Sequence, residues 1–253
     1  MTGATEHSSR HVLLVGAQRC GTTYVGAALD AHPQITMARP ANPEPKVFCS
    51  DEAAGRGAQW YRETYFAHAR DELILGEKST SYLEDAKAAQ RAADVLGDDV
   101  QVVAVLREPV RRAISNWQFS TDHGLEKRSL ESALHDNLAG PTPWDPERTS
   151  VSPFAYLERG RYHQYLQPWM TTFADKLHVL FLEEIVAQDH ALDELWESLG
   201  VSFTLAPERS ERRVNSSAGD PPGLTPELLG TLEAYFESSN RALGTQLGRK
   251  PPW

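Results

Sequence analysis

Short apolar runs recur along the chain and predict the strands of a sheet. They lie at 11–15, 35–38, 73–76, 100–106 and 177–182, and several of the stretches between them have the spacing of helices. The near-continuous valine run of 100–106 is typical of a strand that is buried on both faces, as in a parallel sheet. The pattern predicts a single α/β domain with a central, mostly parallel sheet flanked by helices.

The predicted helices differ in how clearly their ends are marked. Thr225 as N-cap and Pro226 in the first position predict a helix that runs to about Leu243. Glu183 and Glu184 are expected to begin a helix that reaches about Leu199. Further helices are predicted over 59–69, 85–96 and 130–138, and we expect residues 1–10 to be a flexible N-terminus before a domain of 11–253.

The stretch from 11 to 29 combines a buried strand, a loop bounded by Gly16 and Gly21, and a helix that opens on Thr22 and Thr23. Backbone N–H groups without helical partners and the positive end of the helix dipole favour an anion at such an N-terminus. The order and spacing therefore predict a phosphate site. The simpler interpretation is that the two glycines only let the chain turn.

The 16–23 loop departs in one place from the nucleotide-binding pattern G-x-x-x-x-G-K-[ST]. Thr22 occupies the lysine position, and the nearby cation is Arg19, inside the loop. An NTPase needs that lysine on the β- and γ-phosphates, so the displaced cation favours a phosphate ligand with no triphosphate to cleave. A P-loop kinase of small molecules stays open as the alternative.

A second phosphate site is suggested where the valine-rich strand ends. Arg107 lies at the end of that strand, Pro109 suits the first turn of a helix, and Ser115 lies about two turns along it. A guanidinium and a hydroxyl so placed are able to clamp a phosphate. An arginine in a surface ion pair and a serine facing solvent fit this pattern equally well.

Two further charged groups follow other predicted strands. Three prolines in 39–46 favour an extended course, on which Glu44 and Lys46 would point the same way. Lys78 follows the 73–76 strand, at the sheet edge where α/β proteins bind ligands. For the proline-rich segment, a solvated connector is the alternative interpretation.

Composition narrows the class of partner and the compartment. A net charge of −10 argues against a general nucleic-acid or membrane-surface binder. No run of about 18 apolar residues is present to insert into a membrane, and we expect a cytoplasmic protein. Cys20 and Cys49 are expected to be reduced thiols, with Cys20 either filling the loop or carrying a lowered pKa.

Five motifs taken together resemble one family. They are GAQRCGTT at 16–23, PEPKVF at 43–48, EKSTSYL at 77–83, LREPVRRAISNW at 106–117 and RGRYHQYLQPW at 159–169. The set resembles the sulfotransferases that use 3′-phosphoadenosine 5′-phosphosulfate (PAPS), in the branch of heparan sulfate sulfotransferases and their bacterial relatives. The resemblance implies a P-loop-like phosphosulfate loop, PAPS as donor, 3′-phosphoadenosine 5′-phosphate (PAP) as product, and no metal.

The resemblance also implies roles for individual residues. The 5′ side of the nucleotide is expected to be bound by the loop residues Gln18, Arg19, Cys20, Gly21, Thr22 and Thr23. Arg107 and Ser115 take the 3′-phosphate, and Arg19 stands where relatives usually carry lysine, beside the leaving phosphate. The family's C-terminal cofactor loop corresponds in position to the segment that carries Arg212, Arg213 and Asn215.

For catalysis, the resemblance assigns the base to Glu44 and a charge-stabilising role near the sulfuryl oxygens to Lys78. In another large branch of the family the base is a histidine, but His123 lies too far after Ser115 to fit that pattern. The expected acceptor is a hydroxyl of a small molecule or glycoside, with Lys46, Tyr82, His123 and Tyr162 as candidate contacts. Aromatic residues without an assigned role are more often part of the core, which is the alternative for the two tyrosines. A nucleotide-binding module without catalysis is the non-enzymatic alternative.

Overall fold

Five parallel strands form the centre of the protein. The computed structural model describes residues 10–97, 99–149, 151–188, 190–202 and 223–253. The strands are β1 (Arg10–Gly16), β2 (Ile35–Met37), β3 (Ile74–Lys78), β4 (Val100–Leu106) and β5 (Leu177–Phe181), in the spatial order β2-β3-β1-β4-β5. Every neighbouring pair among them is parallel, so the predicted α/β class is confirmed.

The register of the sheet brings the predicted chemistry to one edge. Leu14 of β1 pairs with Lys78 at the end of β3 and with Val103 of β4. Because the strands are parallel, their carboxyl ends meet at the same edge. The 16–23 loop, the segment after Lys78 and the segment that begins at Arg107 therefore leave the sheet side by side.

Ten α-helices are assigned within the described residues. They are α1 (Thr22–Ala31), α2 (Asp51–Ala54), α3 (Gly57–Tyr65), α4 (Ala88–Leu96), α5 (Pro109–Asp122), α6 (Leu130–Leu138), α7 (Tyr162–Phe173), α8 (Leu182–Ala187), α9 (Asp193–Leu199) and α10 (Pro226–Leu247). Short 3₁₀ helices lie at Val47–Cys49, Tyr82–Glu84, Glu158–Gly160 and Ala174–Lys176. None of the helices in the described ranges combines the length and apolar composition that crossing a bilayer requires.

The prediction of one helix over 183–199 is wrong. Helix α8 ends at Ala187 because Gln188 takes extended backbone angles, and α9 begins afresh at Asp193. Two acidic residues stand in the first turn of each helix, where they suit the helix dipole. The acidic residues at 183 and 184 therefore marked where a helix begins but did not indicate where it ends.

The helix caps that position the site agree with the sequence. Pro109 is the first residue of α5, and the side chain of Glu108 accepts hydrogen bonds from the N–H groups of Val110 and Arg111. Thr225 caps α10 in the same way, by accepting from Leu228 N. These caps fix where each helix starts, and for α5 this places Ser115 about two turns beyond the end of β4.

The buried side chains form two apolar clusters. The larger surrounds the sheet and includes Val12, Val102 and Trp169. The smaller lies among α5, α6 and α10 and contains Trp117 and Phe236. The irregular stretch after α5 is thus packed against α5 by the second cluster and does not extend the sheet.

Candidate active site

The N-terminus of α1 has the features of an anion site. Gly21 is the N-cap with φ of +88°, a left-handed conformation that favours glycine. A Cβ there would also lie 2.6 Å from Leu182 Cδ1. Among the described residues, no side chain caps this helix, and its first turn carries no acidic group. An anion therefore fits the helix start without displacing a carboxylate.

Arg19 joins the loop to helix α5. Its Nε donates a hydrogen bond to Ser115 Oγ at 3.2 Å, and its guanidinium carbon lies 4.7 Å from the centre of the Phe119 ring. Arg107 Nη1 donates to the backbone oxygen of Arg19 at 3.4 Å. The structure thus brings together the residues that the sequence assigned to the two ends of one nucleotide.

Arg19 and Arg107 lie close together, and among the described residues no carboxylate forms a salt bridge with either of them, so both would gain from a bound anion. Burial, followed by the charge of Arg107, lowers the pKa of Arg19 from its usual value. The group remains a cation because a guanidinium does not deprotonate in proteins. The residues present therefore fit a phosphorylated ligand at this point.

Glu44 and Lys78 form an ion pair at the end of β3. Lys78 Nζ lies 2.6 Å from Glu44 Oε1, and the two side chains are 23% and 15% exposed. Thr80 donates to the same carboxylate from its backbone N–H, at 3.0 Å from Oε2, and from its hydroxyl. The proline-rich segment is therefore attached to the sheet edge through its glutamate, and the prediction of a solvated connector fails at this residue.

This pair lies beside the 16–23 loop. The alkyl stem of Lys78 passes over Gly26 of α1, where an added Cβ would lie 3.2 Å from Lys78 Cδ. The backbone N–H of Ser79 donates to Leu14 O, two residues before the loop. Glu44 and Lys78 therefore lie next to the helix whose N-terminus ends the loop.

Lys46 does not continue the extended course of the proline-rich segment. Its φ is +53°, and the 3₁₀ turn of Val47–Cys49 follows directly. The condition under which Glu44 and Lys46 would point the same way is therefore not met. The Lys46 backbone N–H donates to Ser79 Oγ at 2.9 Å.

Two predicted acceptor contacts, Tyr82 and Tyr162, belong to the core. Both are 0% exposed. The Tyr82 hydroxyl accepts from Phe48 N at 3.2 Å, and the Tyr162 hydroxyl donates to Arg107 O at 2.7 Å. Both tyrosines support the backbone around the site. Their predicted role as acceptor contacts is therefore wrong, because neither side chain is exposed.

Cys20 and Gln18 support the loop. Cys20 is fully buried beside the Tyr162 hydroxyl, and burial raises the pKa of its thiol to about 11, which rules out the lowered pKa considered from the sequence. Gln18 Oε1 accepts from Arg159 Nη1 at 3.2 Å, and Arg159 Nε bonds Glu84 at 2.6 Å. The Arg159–Glu84 pair was missed by sequence reasoning, although Arg159 stands in the RGRY motif.

The remaining predicted residues fall at the margin of the site or outside the described residues. His123 ends α5, is exposed, and has its ring centre 4.0 Å from that of Phe119. It therefore reaches Arg19 only through Phe119. Thr22 is buried and Thr23 is half-buried in the first turn of α1. The three predicted residues of the C-terminal loop, Arg212, Arg213 and Asn215, lie outside the described residues.

Relatives named for heparan sulfate match part of this chain. Mouse heparan sulfate glucosamine 3-O-sulfotransferase 3B1 is 25% identical over 175 residues, which are 68% of this chain and 40% of the relative. Human heparan sulfate glucosamine 3-O-sulfotransferase 6 is 29% identical over 172 residues, which are 67% of this chain and 45% of the relative. Each match spans less than half of the relative's own length.

Two solved structures share the fold. A sulfotransferase from Alicyclobacillus acidocaldarius superposes with a TM-score of 0.77 at 24% identity, covering 95% of this chain and 96% of the other. Mouse sulfotransferase SULT7A1, determined in complex with PAP, has a TM-score of 0.56 at 12% identity and covers 92% and 85%. At these identities the likeness shows the fold alone.

The family model covers most of the chain. The model described as "Sulfotransferase domain" matches residues 9–217, a range that includes the 16–23 loop, Glu44, Lys78, Arg107 and Ser115. This chain belongs to the sulfotransferase family.

Proposed function

We propose that this chain transfers a sulfuryl group from PAPS to a hydroxyl of a small-molecule or glycoside acceptor, leaving PAP. The observation that carries the proposal is the Glu44–Lys78 ion pair beside α1, with Arg19 and Ser115 in contact across the same loop. A base, a cation for the moving group and a cradle for phosphate are what sulfuryl transfer requires. Membership of the family and the PAP complex of a fold relative support the choice of donor.

In this proposal the nucleotide is held at two places by donors of the protein. The N-terminus of α1, with Thr22 and Thr23, binds the 5′ phosphosulfate, and Arg107 with Ser115 binds the 3′-phosphate. Arg19 lies in the loop before α1, contacts Ser115 and Arg107, and supplies positive charge near the leaving phosphate. Because its guanidinium stays protonated, it stabilises charge there and does not donate a proton.

Glu44 is the proposed base. When bound, PAPS supplies an activated sulfuryl group, and Glu44 takes the proton that the acceptor hydroxyl loses as its oxygen bonds to sulfur. Lys78 and Thr80 already hold the Glu44 carboxylate in a fixed orientation, so little reorganisation is needed. Lys78 stabilises negative charge on the sulfuryl oxygens in an in-line, metal-independent transfer.

The test separates this function from its two alternatives. The purified protein is incubated with a panel of sugar, nucleoside and lipid-like alcohols and a heparan sulfate oligosaccharide, with PAPS and chelator in one arm and ATP and Mg²⁺ in the other. Since sulfuryl and phosphoryl groups add nearly the same mass, the donor in each arm identifies the group that mass spectrometry detects. We expect product in the PAPS arm only.

The other outcomes contradict the proposal in distinct ways. Product in the ATP arm alone identifies a P-loop kinase. Tight binding of PAP with no product from any acceptor identifies a nucleotide-binding module without catalysis. A cytoplasmic location and a role in natural-product biosynthesis complete the proposal, and fractionation of the producing cell tests the location.

A further inference from the structure

A buried carboxylate that the proposed transfer does not use lies next to Lys78. Glu77 is the penultimate residue of β3 and is 0% exposed. No salt bridge to it is found within the described part of the chain. Its Oε2 accepts from the Tyr61 hydroxyl at 2.7 Å and its Oε1 from Ser79 Oγ at 2.5 Å. Burial raises the pKa of this carboxyl, and the hydrogen bonds that it accepts oppose that change. A carboxyl buried at this cost calls for an explanation.

The direction of the Ser79 hydrogen bond follows from its partners. Lys46 N donates to Ser79 Oγ at 2.9 Å. A backbone N–H only donates, so the Ser79 oxygen accepts there and its own proton is left to donate to Glu77 Oε1. The Glu77 carboxylate accepts that proton and completes a relay that runs from the peptide backbone of Lys46 through Ser79 to Glu77.

This relay ends on the segment that carries Glu44. It holds the backbone at Lys46, while Lys78 and Thr80 hold the Glu44 side chain itself. Adjacent residues of a strand point to opposite faces of the sheet. Glu77 and Lys78 therefore act on the segment that carries Glu44 from opposite faces of β3. Lys46 keeps a left-handed backbone between these attachments, a conformation that persists only where the surroundings fix it.

We propose that Glu77 is a positioning residue that places Glu44, acting through Ser79 on the backbone at Lys46. This inference rests on the proposed function, in which Glu44 is the base. Glu77 touches neither donor nor acceptor because it is fully buried, and its effect on transfer is exerted only through the position of Glu44.

Hydrogen exchange tests the inference without reference to activity. Tyr61 and Ser79 donate to different oxygens of Glu77, and glutamine has an N–H donor in place of one of them, so Glu77→Gln does not accept both hydroxyl protons in the same way. We expect faster amide exchange in a peptide spanning 44–50 for Glu77→Gln and for Ser79→Ala. Tyr61→Phe is the matched control, because it removes a donor to Glu77 that has no hydrogen bond to the segment. Unchanged protection in Glu77→Gln, or equal loss in Tyr61→Phe, overturns the inference.

Kinetics then separate positioning from a general loss of structure. Misplacing a catalytic group by about 1 Å costs on the order of 10²-fold, so we expect Glu77→Gln to lower kcat by up to that factor. The KM for PAPS and the affinity for PAP should stay at wild-type values. If Glu77→Gln does not fold, Ser79→Ala takes its place, because it removes the relay to Lys46 while leaving the carboxylate.

A double-mutant cycle with Glu44→Gln distinguishes the two possible failures. If Glu77 acts through Glu44, adding Glu77→Gln to Glu44→Gln causes no further loss of kcat. A further loss equal to that seen in the wild-type background overturns the inference and leaves Glu44 as the base. Wild-type activity in Glu44→Gln instead overturns the proposed base, and the exchange result still decides whether Glu77 fixes the segment.

Discussion

Arg19 Nε donates a hydrogen bond to Ser115 Oγ at 3.2 Å, although 96 residues separate them in the chain. The loop residue and the helix residue were assigned to opposite ends of the nucleotide, and Arg107 adds a bond to the Arg19 backbone. The residues of the two proposed phosphate sites are therefore in direct contact with each other. Phe119 covers the outer face of the Arg19 guanidinium, which limits the orientations that the cation adopts.

This arrangement predicts a large loss of transfer in Arg19→Ala. Removing one preorganised charged donor costs about 10²- to 10³-fold in rate. Arg19→Lys keeps the charge but lacks the planar fork that contacts Ser115, so an intermediate loss is expected. Steady-state kinetics with varied PAPS, together with calorimetric titration of PAP, measure both effects.

The control for Arg19 is Arg111→Ala, which removes an exposed arginine from the same helix as Ser115. It should leave kcat and the affinity for PAP unchanged. Equal losses in the two variants would mean that net positive charge matters and that the Arg19–Ser115 geometry does not.

The Glu44–Lys78 pair predicts two separable defects. Glu44→Gln removes the base and should lower kcat by about 10²- to 10⁴-fold with the affinity for PAP retained. Lys78→Met should also lower kcat, because it removes the cation and leaves Thr80 as the remaining partner of Glu44 within the described residues. Rapid-quench measurement of sulfated product checks both, with the exposed Glu52→Gln as control. A Glu44→Gln enzyme with wild-type kcat would exclude Glu44 as the base.

Much of the fold could be predicted because parallel strands buried on both faces produce apolar runs. The predicted 100–106 run matches β4 residue for residue, and Pro109 marked the start of α5. The break in the predicted 183–199 helix was missed because it depends on the extended backbone of Gln188, and no proline or glycine marks that position. The local sequence pattern thus predicted an element correctly where burial on both faces or a helix cap determined its bounds.

The site was less predictable because its contacts join distant segments. Glu44 and Thr80 are 36 residues apart, and no periodicity indicates that one carboxylate accepts from the other's backbone. Tyr82 and Tyr162 carry polar hydroxyls that suggested an acceptor surface, yet each hydroxyl is used by a buried hydrogen bond. The residue types indicated which chemistry was available, but the direction in which each side chain points could be learned only from the folded structure.

Cys20 is expected to resist alkylation in the folded protein. Burial raises the pKa of its thiol to about 11, and the thiolate is the form that reacts. At about pH 8 only a small fraction of such a thiol is ionised. Mass spectrometry after treatment with iodoacetamide should find Cys20 unmodified in the native protein and modified after denaturation. Rapid native labelling would mean that the loop opens.

Arg112, in the first turn of α5, is expected to contribute to the stability of the fold. It is 0% exposed, and it donates to Asn116 Oδ1 at 3.2 Å and to the backbone oxygens of Ala155 and Tyr156. Arg112→Met leaves these acceptors without a donor and should lower the free energy of unfolding by about 2 kcal/mol. The exposed neighbour Arg111 supplies the control, because Arg111→Met should change the free energy of unfolding by less than about 0.5 kcal/mol. Urea unfolding measures both, and similar values for the two would contradict the role of Arg112.

His11 predicts how stability depends on pH. It lies at the start of β1 against Tyr61 and Phe66, and its Nδ1 is buried with no partner among the described residues. Burial first, and then the charge of Arg62, lowers the pKa of His11 from 6.5 to about 4, while Asp99 opposes the change.

The sign follows from which state binds the proton. Between about pH 6.5 and pH 4 the unfolded chain takes up a proton at His11 that the native protein does not, so the free energy of unfolding falls as the pH falls. The full effect is about 3 kcal/mol, reached near pH 4. His11→Phe keeps the ring packing and should flatten this dependence in urea unfolding between about pH 7 and pH 5. His135→Gln, at an exposed position on α6, should retain the wild-type slope. An unchanged slope in His11→Phe would mean that other groups carry the acid sensitivity.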